Sequence, residues 1–315
     1  MANIRDIAKL AGVSLSTLSR VINQEKYVSD EKRKLVQEAI EKTSYTRNGN
    51  AVKLSTEKSG IIGVQIPYNN SCYDQLIDSI LLATKEKSYQ VQLLPTYYEQ
   101  ETENYYYSML EQNLIDGLIL TSRTPHLINW PRLLAKGKLV STEKLETTEV
   151  PMIYADREQV YDQLFSQLHA KKVKDVVFVA KRDADQSIAT RNKMKAFEHY
   201  FGKAEEGQNY FVGIDDYESG YAWAKKQAAV GKIPAYVYAN GDSTAAGILA
   251  AFQEAGFQLK KDFCLIGEGH SSYSKLLNFS TIDFSSREIS QDCVDFLLSD
   301  QQQICCRKEA RLILR

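Results

Sequence analysis

Short apolar runs alternate with helical patterns from Ser59 onward. Runs of this length predict buried strands, and the segments between them show helical periodicity. The predicted strands cover residues 60–67, 90–95, 116–120, 138–141, 152–155, 176–180, 210–212, 235–239 and 263–266. The predicted helices cover residues 73–87, 101–112, 192–201, 217–229 and 244–255. This alternation predicts an α/β fold with parallel, helix-covered sheets in two domains, and a ligand crevice at the carboxyl ends of the strands.

The first 43 residues instead predict three short helices around a small core of their own. The apolar positions are Ile4, Ile7, Ala8 and Ala11 in the first helix, Leu18, Val21 and Ile22 in the second, and Leu35, Val36, Ala39 and Ile40 in the third. Gly12 permits a sharp turn after the first helix. Ser14 and Ser29 are of the type that caps the N-termini of the second and third helices.

The outer face of the second predicted helix carries small hydrogen-bonding side chains and one cation. The residues on or beside this face are Ser14, Leu15, Ser16, Thr17, Ser19, Arg20 and Asn23. Such a face suits the DNA major groove, where an arginine can donate two hydrogen bonds to guanine and an apolar side chain can contact a thymine methyl. The pattern alone equally fits an amphipathic helical hairpin with a solvated face.

The charge distribution favours a nucleic-acid partner for the N-terminal segment. The 315-residue chain has a net charge of -1, but residues 1–58 hold 11 Lys/Arg and 7 Asp/Glu. A basic N-terminal segment on an otherwise acidic protein is expected where that segment contacts the phosphates of a nucleic acid. No run predicts a membrane span or signal peptide, and five cysteines without CxxC spacing indicate reduced thiols in a cytoplasm. No motif predicts a metal or other cofactor.

The sequence D-I-A-K-L-A-G-V-S-x-x-T-L-S-R-V-I-N at residues 6–23 closely resembles the DNA-binding headpiece of the lactose-repressor (LacI/GalR) family. Residues 27–29 (Y-V-S) and the basic helix after them also fit this family. The resemblance implies a helix-turn-helix headpiece and hinge at residues 1–58. It also implies a homodimer, because two headpieces side by side read a pseudo-palindromic double-stranded operator.

The resemblance implies a hinge that folds into a short helix on operator DNA and inserts an apolar side chain into the minor groove. Ala51 and Leu54 fall at the matching positions, which makes Leu54 the expected wedge. Residues 45–48 read Y-T-R-N where the family has Y-x-P-N, so the proline is missing. Gly49 lowers helix propensity by up to about 1 kcal/mol. The hinge helix is therefore expected to be marginal without DNA.

The remaining residues, 59–315, resemble a periplasmic sugar-binding protein with two lobes that the chain crosses three times. Motif matching implies crossings near Asp156, Asp283 and Gln302. The first lobe is then expected at about 59–156 and 284–302, and the second at about 157–283 and 303–315. A sugar effector is implied between the two lobes.

Matching position by position implies ten effector-binding residues at or near strand ends. They are Tyr73, Thr121, Arg123, Asp156, Arg191, Lys193, Tyr217, Asp242, Glu268 and His270. An aromatic ring can stack on a sugar, while carboxylates and arginine exchange hydrogen bonds with its hydroxyls. Other roles stay open at four of these positions: a core or interface ring at Tyr73, a surface ion pair at Arg123, a helix cap at Asp242 and a plain surface residue at His270.

Three departures from the family pattern affect the expected ligand. The arginine of the family's R-x-x-G-F is replaced by Lys193, or its role has moved to Arg191. Asp215 stands where the family often has an aromatic residue, with Tyr217 as a possible substitute. The family's Y-D-D reads E-G-H at residues 268–270. Lysine is not an equivalent of the arginine fork, so these departures bear on which effector the cleft takes.

Three segments are most similar to regulators of maltose and maltodextrin operons: residues 115–123 (IDGLILTSR), 238–242 (YANGD) and 265–272 (LIGEGHSS). The resemblance therefore implies a DNA-binding repressor of a carbohydrate-utilisation operon, controlled allosterically by maltose or a maltodextrin. One alternative is a DNA-bound regulator that responds to a protein co-effector. Another is a sugar-processing enzyme with a DNA-binding head, but no nucleophile elbow, metal spacing or phosphate loop supports catalysis.

Overall fold

A computed structural model of the chain describes residues 4–22, 27–43, 58–124 and 126–315. The chain divides into two compact units, Met1–Lys58 and Ser59–Arg315. Asn23 and the hinge positions Ala51 and Leu54 lie outside the described residues. Within the described residues, no helix is both long and apolar enough to cross a membrane.

Within residues 4–22 and 27–43, the N-terminal unit contains three helices, α1 (Ile4–Leu10), α2 (Leu15–Ile22) and α3 (Asp30–Thr43). The core between them consists of buried Ile7, Ala8, Ala11, Leu18, Val36 and Ala39. Leu35 was predicted to join this core but is 44% exposed. The reason is geometric: Val36 is the residue that faces inward, and its neighbour is rotated about 100° around the helix axis.

The turn between α1 and α2 is built as the sequence predicts. Gly12 has a φ of +66°, in the left-handed region that glycine enters without a steric penalty. Ser14 Oγ accepts a hydrogen bond of 3.2 Å from the backbone N–H of Thr17 and so caps the N-terminus of α2.

In its described part, the second unit contains nine α-helices, one short 3-10 helix (Ser71–Tyr73) and twelve strands. Its helices are α4 (Asp74–Glu86), α5 (Gln100–Glu111), α6 (Trp130–Leu134), α7 (Arg157–Ala170), α8 (Ile188–Phe201), α9 (Tyr217–Ala229), α10 (Asp242–Glu254), α11 (Ser272–Leu276) and α12 (Ser286–Leu298). Its strands are β1 (Ile61–Ile66), β2 (Gln90–Pro95), β3 (Gly117–Leu120), β4 (Lys138–Ser141), β5 (Met152–Ala155), β6 (Val176–Ala180), β7 (Tyr210–Val212), β8 (Tyr236–Tyr238), β9 (Cys264–Glu268), β10 (Ser280–Asp283), β11 (Cys305–Lys308) and β12 (Arg311–Ile313).

The strands form two six-stranded sheets, one in each lobe. The first has the order β11-β5-β4-β3-β1-β2 and is parallel throughout. The second has the order β12-β10-β9-β8-β6-β7 and is parallel except for β12, which pairs antiparallel with β10. The central strands β3 and β6 are buried along their whole length, as expected for parallel strands covered by helices on both faces.

The predicted α/β fold with a helix-turn-helix headpiece and a two-lobed core is confirmed. All nine predicted strands are present, each within two residues of its predicted ends. The helix predicted at 192–201 begins earlier, at Ile188, because Ser187 Oγ accepts the N–H of Thr190 and caps it there. Helices α6, α7, α11 and α12 and strands β10 to β12 were not predicted.

One lobe boundary was wrong. The third crossing was expected near Gln302, with residues 303–315 in the second lobe. Strand β11 instead pairs in parallel with β5, in register from Cys305 opposite Met152 to Lys308 opposite Ala155, and therefore belongs to the first sheet. The chain crosses after Lys308 and only then adds β12 to the second sheet.

All five cysteines are free thiols: Cys72, Cys264, Cys293, Cys305 and Cys306. Adjacent Cys305 and Cys306 both lie in β11, where their side chains point to opposite faces of the sheet.

Candidate functional site: the DNA-reading helix and the effector cleft

The candidate DNA-reading residues lie on the outer face of α2. Ser14, Leu15, Ser16, Ser19 and Arg20 are exposed, and Leu15 leaves 46% of its surface uncovered although it is apolar. On the opposite face Leu18 is completely buried. The helix is thus anchored by its apolar side, and its N-terminal end and polar side lie at the surface of the headpiece.

Two of the predicted DNA-reading residues also shape the helix start. The Ser14 hydroxyl lies 2.8 Å from that of Ser16 and 2.9 Å from that of Thr17, which is half-buried. A hydroxyl can donate once and accept twice, so this cluster orients its members while retaining capacity for another partner. Ser14 and Thr17 therefore have a structural role in addition to the predicted one.

The candidate effector site is a cleft between the two lobes of the core. Its space measures about 1130 Å³ including the open mouth. Residues that follow strands of both sheets line it: Tyr68 and Asn70 after β1, Thr121 and Ser122 after β3, Glu143 after β4, Arg157 after β5, Lys181 and Arg182 after β6, Asp215 after β7, and Asn240 after β8. The expected position, at the carboxyl ends of parallel strands, is where this cleft lies.

Three of the ten predicted effector residues line the cleft: Tyr73, Thr121 and Glu268. The Thr121 hydroxyl donates to the backbone oxygen of Gln65 at 2.7 Å, so part of its capacity maintains the first sheet. Tyr73 is half-buried and packs against the core of the first lobe as well as facing the cleft. Tyr73 therefore both lines the cleft and packs as a core ring, so the alternative role left open for it is partly correct.

Glu268 forms the charged floor of the cleft. Its Oε1 lies 3.0 Å from the Nζ of Lys193 and accepts a hydrogen bond from the Tyr238 hydroxyl. Burial alone would raise the pKa of Glu268, but the positive charges of Lys193 and Arg157 outweigh burial and lower it. The carboxylate is therefore ionised and held in place. Lys193 is only 1% exposed and lies behind Glu268, so it supports the cleft from below.

Four predicted residues engage partners outside the cleft lining. Arg123 donates to the backbone oxygens of two neighbours, at 2.8 and 3.0 Å, and lies over the Trp130 ring. Asp156 caps α7 through the N–H of Gln159 and pairs with Arg307 at 3.0 Å. Arg191 donates to a backbone oxygen and pairs with Glu146 at 3.4 Å. Tyr217 is 41% exposed and stacks on Tyr221.

The last two predicted residues join the loop after β9 to the body of the second lobe. Asp242 accepts from the Thr281 hydroxyl at 2.6 Å and from the N–H and hydroxyl of Ser271 at 2.7 and 2.9 Å. It is the first residue of α10, not its cap. The backbone oxygen of His270 accepts from Gln75 across the lobes at 3.2 Å. Neither side chain lines the cleft.

The cleft also contains charged residues that the motif comparison missed. They are Glu143, Arg157, Lys181 and Arg182. The signal that could have found them is positional, because each lies within two residues of the end of a predicted strand. Closeness to the end of a predicted strand therefore identified cleft residues better than a match to the family's residue types.

The two lobes contact each other directly across the cleft mouth. The Tyr68 hydroxyl of the first lobe donates to Asp215 Oδ2 of the second at 2.6 Å, and Asn70 Nδ2 donates to the Asp215 backbone oxygen at 3.1 Å. Lys181 completes the arrangement with an ion pair of 2.9 Å to Asp215. The departure at Asp215 from the family's aromatic residue therefore serves contact between the lobes.

The comparisons decide the family. The model of bacterial regulatory proteins of the lacI family matches residues 3–48, and the model of periplasmic binding proteins and sugar-binding domains of the LacI family matches residues 59–294. The chain belongs to the LacI family. Catabolite control protein B of Bacillus subtilis (strain 168) is 34% identical to this LacI-family chain over 96% of each sequence.

Solved structures agree with the fold of this LacI-family member. A lac repressor dimer bound to operator and the anti-inducer ONPF matches with a TM-score of 0.78 and 21% identity, covering 100% of this chain and 98% of the other. A complex of the transcriptional regulator CelR with cellobiose matches with a TM-score of 0.67 and 18% identity, covering 100% and 99%. The chain is a DNA-binding transcriptional regulator of this family and not an enzyme.

Proposed function

We propose that this LacI-family protein is a homodimeric repressor of a carbohydrate-utilisation operon, and that a sugar in the cleft changes its affinity for operator DNA. The observation that carries the proposal is the position of the cleft. Its lining comes from both lobes, so a bound ligand touches both and favours the lobe arrangement it fits best. A ligand controls DNA affinity only through such a difference between two states.

The proposed reading of the operator uses the exposed end of α2. Leu15, Ser16 and Arg20 reach base edges, with Ser19 and the hydroxyls of Ser14 and Thr17 in support. Arg20 donates to guanine, and Leu15 packs on a thymine methyl. The lac repressor of similar fold is a dimer on operator, which supports the dimer. Asn23, Ala51 and Leu54 keep their proposed DNA contacts, with Leu54 as the minor-groove wedge.

The proposed effector residues are revised by the geometry. Tyr73, Thr121 and Glu268 are retained because they line the cleft, and the charged groups there supply further hydrogen bonds. CelR, which has a similar fold, is bound to cellobiose, which supports a sugar as the ligand class. Maltose or a maltodextrin is the specific sugar that the sequence motifs favour, although none of the three proteins reported above is named for maltose.

The DNA part of the proposal is tested by Arg20→Ala. Removing the guanidinium is expected to reduce discrimination between the selected operator and random duplex by about 1–3 kcal/mol, the value of one bidentate base contact. Lys42→Ala is the matched control, since it removes one positive charge from the last turn of α3. The control should weaken binding to both duplexes equally. Unchanged discrimination by Arg20→Ala would contradict the proposed reading helix.

The effector part is tested by a thermal-shift screen of the full chain against maltose, maltotriose, longer maltodextrins and other sugars. A ligand at 100 times its Kd stabilises the folded state by about 2.7 kcal/mol, which is a shift of several degrees. A shift with α-glucans alone would support maltose. A shift with another sugar would retain the repressor proposal and replace the effector. If no sugar shifts the transition, the alternative of a protein co-effector takes its place.

A further inference from the structure

We propose that the effector is an acidic sugar, one that carries a phosphate or carboxylate group held by the guanidinium groups of Arg157 and Arg182. This inference rests on the proposed function, because it names the chemistry of the ligand in the same cleft. It is carried by how the two arginines are held and by the balance of charge around them.

Arg157 is held by an aromatic ring more than by an anion. Its guanidinium carbon lies 3.9 Å from the centre of the Phe284 ring, which is a cation–π contact. Its Nη1 lies 3.3 Å from the Tyr161 hydroxyl and 4.0 Å from Glu268 Oε2, at the outer limit for an ion pair. One third of the side chain is exposed. Stacking occupies the face of the guanidinium and leaves its edge, which carries the N–H donors, available.

Arg182 is held in the same way by the other lobe. Its guanidinium carbon lies 3.7 Å from the centre of the Tyr98 ring, and Nη2 donates a long hydrogen bond of 3.5 Å to Ser122 Oγ. No carboxylate among the described residues lies within 4.0 Å of it. A guanidinium fixed flat on a ring presents its planar fork of donors at low entropic cost, which is the geometry that binds phosphate and carboxylate in bidentate fashion.

One supporting ring lies at, and the other directly before, a residue in the left-handed backbone region. Tyr97 and Tyr98 have φ values of +51° and +58°, and Ser285, which directly follows Phe284, has a φ of +54°. Non-glycine residues are uncommon in this region and are concentrated at ligand sites. The two turns carry the Tyr98 and Phe284 rings that contact Arg182 and Arg157.

The remaining charges of the cleft are already paired. Asp215 is neutralised by Lys181 at 2.9 Å, and Glu268 by the buried Lys193 at 3.0 Å. Glu143 is then the single carboxylate left to balance two arginines, and its own carboxylate makes no ion pair within the described part of the chain. Burial raises the pKa of Glu143, against the effect of Arg157 and Arg182.

Counted together with the buried Lys193 beneath Glu268, the four cations of the cleft exceed its three carboxylates by one positive charge. A neutral sugar would use the arginine donors but would leave that charge uncompensated as the cleft closes and water is excluded. A sugar with one acidic group compensates the charge and fills both forks of donors. Tyr73 and Thr121 then serve the sugar ring and its hydroxyls.

The test compares matched sugars on the full chain by calorimetry. Glucose, ribose and maltose are each used beside a phosphorylated and a carboxylated derivative, with inorganic phosphate alone as a further ligand. At least one acidic derivative is expected to bind about tenfold tighter or more than its neutral parent, since a charge-assisted hydrogen bond adds about that factor. Whichever of the two acidic derivatives binds more tightly shows whether phosphate or carboxylate is the group recognised.

The other outcomes overturn the inference in distinguishable ways. If a neutral parent binds as tightly as its acids, the acidic group is not recognised but the proposed function stands. If no sugar of any set binds, both the inference and the proposed effector control fail. If inorganic phosphate binds as tightly as a sugar phosphate, the cleft recognises an anion and not an acidic sugar.

Variants of Arg182 test the residue assignment. Arg182→Gln is expected to weaken the acidic sugar about tenfold or more and its neutral parent by less than about twofold. Arg182→Lys keeps the positive charge but loses the planar fork of donors, so its affinity for the acidic sugar should lie between those of the parent and Arg182→Gln. Arg191→Gln is the control, because it removes the same charge from the same lobe outside the cleft. Equal losses for acidic and neutral ligands, in a variant that melts like the parent, would refute the assignment.

Discussion

Replacing Lys193 by methionine removes one member of a buried ion pair with little change in side-chain length. The ammonium lies 3.0 Å from Glu268 and 4.2 Å from the centre of the Tyr238 ring, and the two charged side chains are only 1% and 12% exposed. Methionine preserves the packing of the stem but removes the charge. Glu268 is left as a buried carboxylate with the Tyr238 hydroxyl and the more distant Arg157.

The expected cost is about 3–5 kcal/mol, which is typical when one partner of a buried pair is removed. The lower end applies here, because Arg157 at 4.0 Å still offsets part of the negative charge left on the buried Glu268. At about 2–4 °C per kcal/mol for a domain of this size, the Tm should fall by roughly 6–12 °C. A decrease in Tm of less than about 2 °C would refute the view that Lys193 and Glu268 form a buried, mutually dependent pair.

The pH dependence gives a second readout of the same pair. In the parent, the folded-state pKa of Glu268 lies below its usual value of 4.5, so its stabilisation is present above that value and is lost as the pH falls through the folded pKa. Without Lys193 the folded pKa rises instead. The ionised carboxylate then destabilises the variant at pH 7, and protonation relieves this on acidification. The deficit should shrink between about pH 7 and pH 5.

The assay is thermal unfolding of parent and variant over this pH range. Lys195→Met is the matched control, because Lys195 is exposed on the same helix two residues further on. The control should change the Tm by less than about 2 °C. Adding Glu268→Gln to Lys193→Met should recover most of the loss, since no buried charge is then left unpaired. A pH-independent deficit would show that lost packing, and not charge, is the cause.

Three further changes test other parts of the structure. Tyr68→Phe removes the bond to Asp215 and should loosen lobe closure, which small-angle scattering would detect as a larger radius of the unliganded protein; an unchanged radius would contradict this role. Ser14→Ala should cost about 1 kcal/mol of headpiece stability by loss of the α2 cap, seen by hydrogen exchange of the α2 amides, and unchanged exchange would disprove the cap. Gly247→Ala would place a Cβ 2.0 Å from the Tyr217 backbone oxygen and should cost about 1–3 kcal/mol in chemical denaturation, whereas an unchanged midpoint would show that α9 and α10 separate freely.

The sequence was sufficient to predict the sheets because their strands are buried on both faces. Residues 176–180 are apolar throughout, and the strand is found at those residues. Lobe membership was harder for the last strands. Residues 305–308 alternate in burial and carry two cysteines and two cations, so nothing local specifies pairing with β5. That pairing depends on long-range contacts, and the third crossing was consequently misplaced.

The sequence predicted the location of the effector cleft better than it predicted which residues line it. The strand-end rule located the cleft, but competition among polar partners decided which side chains face it. Asp242 accepts hydrogen bonds from Ser271 and Thr281. Arg123 donates to backbone oxygens of neighbouring residues and lies over the Trp130 ring. These partners are close only after folding. Arg157 and Arg182 face the cleft because aromatic rings hold them there.

The most direct test of the account is the affinity of the full chain for its selected operator, measured with and without the cleft ligand at saturation. Coupling between two sites of this kind is typically about 5–150-fold in affinity. We expect a change of at least about fivefold for the operator, a much smaller change for random duplex, and, in Arg182→Gln, the same operator change only at a ligand concentration about tenfold higher. An operator affinity that stays the same at saturating ligand would contradict effector control through the cleft.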